Sequence, residues 1–183
     1  QTASGLQVGT YSVIATDSVG CSISASQTMT QPTALSNTLT PSVFSGYNVS
    51  CNGSTDGTIT LSPSGGTAPY HYFWADTVLT QNRTGLHAGT YKVTLYDTLG
   101  CSRLDSIVLT QPTAITTTMT GSLLNCYGDS NGVVNVVANG GNGPYTYLWG
   151  NGATTATVNN LKAAYYMVTV TDTRGCTKVD QVQ

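Results

Sequence analysis

A chain of 183 residues with 8% charged residues, a net charge of −2 and no Glu lacks the basic block that nucleic-acid binding needs to neutralise phosphates. It has no apolar run near the ~20 residues of a membrane helix, and no membrane insertion is expected in this segment. Thr, Gly, Ser and Val dominate, a strand-and-turn composition poor in helix formers whose low charge and many hydroxyls suit an extracellular surface.

In chain order, the first ordered block is Gly5-Leu-Gln-Val-Gly-Thr-Tyr-Ser-Val-Ile-Ala-Thr-Asp-Ser-Val-Gly-Cys21, and Gln31-Pro-Thr-Ala34 follows. Cys51-Asn-Gly-Ser-Thr-Asp-Gly57 leads into Thr58-Ile-Thr-Leu-Ser62, which alternates with period two as a half-buried strand does. Beyond Gly65-Gly-Thr-Ala-Pro69, the residues Tyr70, Tyr72 and Trp74 share one face of the next strand. Tyr91, Val93 and Leu95 share one face of a later strand, with Lys92, Thr94 and Tyr96 opposite. Asp97-Thr-Leu-Gly100 is a four-residue turn with Gly where positive φ is wanted, and it joins two antiparallel strands. The second of these runs from Cys101 through Ile107 to Leu109.

The pattern then returns. Gly5–Cys21 recurs as Gly85–Cys101 and, altered, as Asn160–Cys176; the three cysteines stand 80 and 75 residues apart. Gln111-Pro-Thr-Ala114, Cys126-Tyr-Gly-Asp-Ser-Asn-Gly132 and Gly140-Gly-Asn-Gly-Pro-Tyr-Thr-Tyr-Leu-Trp149 repeat the other landmarks. Such a period marks an array. Boundaries at Pro32 and Pro112 divide it into residues 1–32, the C-terminal part of one unit, 33–112, a complete unit, and 113–183, a nearly complete one. Gln1 aligns with Ala156 and Gln183 with Val108, so the expectation is a window on a longer chain. Short strands with regular turn signals in ~75–80 residues predict tandem immunoglobulin-like (Greek-key) β-sandwiches. Leu86-His-Ala-Gly-Thr-Tyr91 resembles the tyrosine corner of such sandwiches, and Tyr11 and Tyr166 take the same place.

Cys51 and Cys101 are 50 residues apart, as are Cys126 and Cys176. The equal spacing favours disulfides Cys51–Cys101 and Cys126–Cys176, with Cys21 paired upstream of the segment; free thiols and bridges between units are the alternatives. A 50-residue bridge is worth about 4 kcal/mol by loop entropy and implies an oxidising compartment. Against pairing within a unit, Cys51 precedes one strand and Cys101 opens another at the opposite end of a regular sandwich. A bridge needs Cα atoms within ~7 Å.

Catalysis is not expected. The two histidines, His71 and His87, are replaced by Thr146 and Lys162 in the next unit, and no metal, phosphate or nucleophile motif is present. No cofactor is expected. The loops holding Asn52 and Asp56, and Asp129 and Asn131, offer oxygen ligands for Ca²⁺, or are Asx-turns. Tyr70, Tyr72 and Trp74, with Tyr145, Tyr147 and Trp149, are read as core strands, and alternatively as an aromatic platform for sugar rings.

The ordered motifs Cys-Asn-Gly-x-x-Asp-Gly, Gly-Gly-x-x-Pro-Tyr-x-Tyr-x-Trp and Leu-x-x-Gly-Thr-Tyr-x-Val-x-x-x-Asp-x-x-Gly-Cys resemble the SprB repeat of large cell-surface adhesins of gliding Bacteroidetes. The resemblance spans 51–101 and 126–176 in full and 5–21 in part; the third unit departs from it at Asn160 and Ala164-Tyr165. It implies type IX secretion, display on the cell surface, and adhesion and gliding driven by the motility machinery. Asp-(Ser/Thr)-aliphatic resembles the O-glycosylation signal of the same bacteria and marks Ser18, Thr77, Thr98 and Ser106. Asp129-Ser-Asn131 and Asp172-Thr-Arg174 fail its third position. The expected function is a stiff stalk contacting an extracellular surface or polysaccharide, with neighbouring repeats stacked end to end at about 35–40 Å per unit. The alternatives are a carbohydrate-binding array and a filament subunit completed by strand donation.

Overall fold

The computed structural model describes residues 2–122, 124 and 128–183, and these hold fourteen strands and no helix. The N-terminal strands β1 (Gly9–Thr16) and β2 (Ser22–Met29) pair as an antiparallel hairpin with Tyr11 opposite Gln27 and Thr16 opposite Ser22. No second sheet covers this hairpin among the described residues. Val13 and Ile14 are accordingly 64% and 69% exposed.

The next six strands make a complete sandwich. They are β3 (Ser36–Pro41), β4 (Gly57–Ser64), β5 (His71–Trp74), β6 (Arg83–Leu86), β7 (Gly89–Tyr96) and β8 (Ser102–Leu109). One sheet has the order β3-β4-β6 and the other β5-β7-β8, all antiparallel. These are the A-B-E and C-F-G sheets of an immunoglobulin-like fold. The next unit repeats the plan with β9 (Thr116–Gly121), β10 (Gly132–Asn139), β11 (Tyr145–Trp149), β12 (Thr157–Leu161), β13 (Tyr166–Asp172) and β14 (Thr177–Val182). Its sheets are β9-β10-β12 and β11-β13-β14.

Period-two alternation places one core between each pair of sheets. Ile59 and Leu61 of β4 meet Trp74 of β5, Leu86 of β6, Val93 of β7 and Leu109 of β8. In the third unit Val134, Val136, Trp149, Val158, Leu161, Val168 and Val170 gather with Ile115. Trp74 and Trp149 are 3% and 2% exposed, and their indole N–H groups are satisfied by Thr80 O at 2.8 Å and Thr155 O at 2.9 Å. A buried indole of this kind needs such a partner. The tryptophans are core residues, so the aromatic sugar platform does not form. On the surface of the second sandwich, Arg83 lies 5.0 Å over the Trp74 ring and is bonded through both guanidinium ends to Asp76.

Each Asp-x-x-Gly-Cys turn is held by its own aspartate. Asp97 accepts from Cys101 N at 2.8 Å and reaches across to Thr67 N at 3.0 Å. Asp172 accepts from Cys176 N at 3.0 Å, Arg174 N at 2.9 Å and Asn142 N at 2.8 Å. Both carboxylates are buried. Gly66 and Gly141 sit against them with φ of 59° and 57°. A Cβ there would come within 2.8 and 2.7 Å of the carboxylate oxygens. The repeated Gly-Gly is therefore required by both backbone hand and space.

The 80- and 75-residue periods differ because of one turn. Ser42 and Ser122 are equivalent: each exchanges hydrogen bonds with the facing strand, at Thr58 and Val133. Val49 and Leu124 are equivalent over Gly57 and Gly132. Six residues, 43–48, separate the first pair, where Leu123 alone stands in the sequence of the second. The extra residues form a two-residue hairpin turn, with Ser45 and Gly46 at φ 47° and 90° and mutual bonds between Phe44 and Tyr47. Asn48 fastens it to the base of β8 by accepting from Thr110 N at 2.9 Å.

Trp149→Ala is expected to lower stability by about 3–5 kcal/mol, as truncation of a buried aromatic does, measured by urea unfolding. Burial pushes the Asp97 carboxyl up, but the backbone N–H groups of Thr67, Cys101 and Leu99 outweigh it and hold the group below its ordinary value. A lowered folded-state pKa gives stability that is present above the unfolded carboxylate value of about 3.9 and is lost as pH falls through the folded value. Asp97→Asn is therefore expected to lower Tm at pH 7 and to flatten the fall in Tm between pH 5 and 2.

Candidate functional site

The motifs that recur along the chain converge at one place, the junction of the second and third sandwiches. The second sandwich contributes Cys51, Asn52 and Gly53 from the loop before β4. The linker contributes Gln111 to Ala114. The third contributes Gly140 and Gly141 and the β13–β14 turn with Arg174 and Cys176. Asn52 donates its amide to Pro112 O at 3.1 Å, and Gly53 N donates to Gln111 Oε1 at 2.9 Å. On the other side Gly141 N donates to Thr113 O at 2.9 Å. Pro112 between them is fully buried. The Gln-Pro-Thr-Ala linker is thus gripped from both units, and the proline's fixed φ removes further freedom.

A covalent bond completes the junction. Cys51 is joined to Cys176 across a separation of 125 residues, with Cα atoms 5.7 Å apart. This corrects the pairing expected within units: neither Cys51–Cys101 nor Cys126–Cys176 forms. Asn48 N and Val49 N both donate to Thr110 O, so the Cys51 loop lies where β8 ends. Cys101 lies where β8 begins. The eight residues of β8 hold the two about 27 Å apart at ~3.4 Å per residue, far beyond a disulfide's reach. Cys176 belongs to the next unit, whose β13–β14 turn meets the end of the second sandwich where Cys51 sits. Cys126 lies outside the described residues, but its expected partner is occupied. Cys21 and Cys101 are free and exposed.

Beside the bridge, Arg174 donates through Nε to Ser45 Oγ at 2.9 Å and again through its terminal guanidinium nitrogen. The inserted turn of the second unit and the arginine unique to the third turn therefore fit each other across the junction. The geometry gives Asn52 and Asp56 protein partners: Asn52 holds the linker, and Asp56 accepts from Ser50 N at 3.1 Å. Asp129 is half-buried and Asn131 exposed. No cluster of three or more His, Cys, Asp or Glu able to hold a metal occurs among the described residues. His71 and His87 are exposed and lie on separate elements, β5 and the β6–β7 corner.

Tyr11, Tyr91 and Tyr166 donate to the carbonyls of Gln7, His87 and Lys162 at 3.1, 3.0 and 3.2 Å, each four residues back. In the third unit Asn160 replaces Gly85 yet keeps the left-handed backbone, with φ 58° against 69°. Asn tolerates that region better than most side chains, and the corner survives. Ser18, Thr77, Thr98 and Ser106 are all exposed. Thr98 already donates its hydroxyl to Pro69 O at 3.0 Å. The buried aspartates 97 and 172 and the clasp at Asn52 were not apparent in the sequence as a site. Their signal was the recurrence of Asp four residues before each Gly-Cys cysteine, at Asp17, Asp97 and Asp172.

Replacing Cys51 and Cys176 together by serine is expected to lower unfolding stability by about 2–5 kcal/mol, measured by urea titration. Without reductant, a thiol reagent should label Cys21 and Cys101 in the folded chain and leave Cys51 and Cys176 unmodified.

Two solved structures show distant likeness. The amphioxus IgVJ-C2 molecule is 17% identical over 73% of this chain and 98% of its own, with a TM-score of 0.32. The C-terminal 282-residue fragment of intimin, solved with the intimin-binding domain of the translocated intimin receptor, is 14% identical. That match covers 94% of this chain and 56% of the fragment, with a TM-score of 0.35. A search of curated proteins finds no match. The SprB repeat matches twice, at residues 47–78 and 124–154, from the Cys loop through the tryptophan strand of each sandwich, so two stretches of this chain are similar to that repeat.

Proposed function

We propose that the chain is a stretch of shaft from a secreted cell-surface adhesin, a spacer that holds a binding region away from the cell rather than a catalyst. The observation that carries this reading is the junction. Two copies of one repeat are locked end to end by a disulfide, two polar clasps and a buried proline. A chain selected to hinge would leave its linker free. The bridge supports an oxidising setting, and the matching family is that of a repeat rather than of an enzyme.

Gliding motility, type IX export and contact with an extracellular surface or polysaccharide belong to the same proposal. The exposed hydroxyls of Ser18, Thr77, Thr98 and Ser106 are proposed glycan sites, which would add bulk and solubility to a weakly charged surface.

Antibody raised against the chain should label intact, unpermeabilised cells of the source organism. Cells lacking the whole protein should attach to glass or agar several-fold less while growth is unchanged. Labelling only after lysis would refute surface display, and full attachment without the protein would refute the adhesive role.

A further inference from the structure

We propose that the Cys51–Cys176 bridge is a tension bypass, which carries a pull along the chain through sulfur and keeps residues 52–175 out of the loaded path. The argument is one of connectivity. The chain enters the second sandwich by β3, reaches Cys51, and only then forms β4. It leaves the third sandwich by β14, which begins at Thr177, directly after Cys176. The shortest covalent route from the first of these sandwiches to the C-terminus therefore omits β4 to β13.

What is omitted is nearly all of both cores; of the fully buried apolar residues only Val49 stays in the path. Ile59, Leu61, Trp74, Leu86, Val93 and Leu109 all lie between the two cysteines, and so does every buried member of the third unit's cluster. The strands of these two sandwiches left in the path, β3 and β14, are edge strands of their sheets. Tension can peel these two from their neighbours, but it cannot separate the sheets by drawing out the chain between them. The linker is spared as well, since Gln111 to Ala114 also lie inside the closed loop. Bridges within units would have protected each sandwich but left the linker carrying the load. The bypass is a property of this chain whatever the shaft adheres to, so it stands or falls apart from the adhesin reading.

The test is single-molecule extension of the 183-residue chain held by enzymatically attached handles at its two termini, with its free thiols blocked. Oxidised, the extensible length is the 51 residues up to Cys51 and the 8 from Cys176 onward, roughly 210 Å at ~3.5 Å per residue. Reduced, the same chain should reach roughly 640 Å at that rise, a gain of about 430 Å. The double variant Cys51→Ser, Cys176→Ser should reach the longer limit without reductant, and it does so whether or not it folds, because contour length counts residues. Equal lengths before and after reduction would overturn the proposal. So would a gain near 175 Å, the signature at ~3.5 Å per residue of one 50-residue loop within a unit.

Discussion

Everything distinctive about this molecule depends on where a sandwich puts the two ends of a strand. β8 separates the Cys51 loop from Cys101 by its full length, so two cysteines of one unit can never meet. The same geometry delivers the cysteine of the following unit to the spot where Cys51 waits. A pair that looks like an internal staple in sequence is thereby turned into a coupling between units. Linker, glycine pair and buried aspartate are arranged around that coupling.

A unit of this size is marginal by itself, since a small domain buries little more than ~60% of its unfolded surface. The structure meets that limit in two ways. Inside each sandwich, an indole, a few β-branched residues and a carboxylate saturated by backbone donors hold the two sheets together. Between sandwiches, the cross-link restricts the unfolded ensemble of both units at once, because it closes a loop that contains parts of each. Stability and stiffness then share one origin, and neither unit needs a larger core.

Much of this was legible in the sequence. Period-two alternation at Thr58–Ser62 and at Tyr91–Tyr96 set the strands and their buried faces, because one face of each sheet is dry. The Leu-x-x-Gly-Thr-Tyr block marked the corner, because a tyrosine there has a carbonyl four residues back within reach. Cysteine pairing was not legible, because equal spacing within units and equal spacing between neighbours are the same arithmetic: both follow from the repeat. The objection that Cys51 and Cys101 fall at opposite ends was available from strand order alone, and it was the physically decisive signal. The clasp was hidden for a different reason. Asn52, Gln111, Ser45 and Arg174 come from four distant places and acquire meaning only once the units are set end to end.

The central claim is that neighbouring units are covalently coupled, and cutting the backbone between them tests it most directly. A protease site inserted into the Gln111–Ala114 linker allows the chain to be cleaved there after folding. If the coupling exists, the cleaved protein runs as one species on a denaturing gel without reductant and separates into two fragments once reduced. Two fragments without reductant would contradict it, since bridges confined within units leave nothing to hold the halves together.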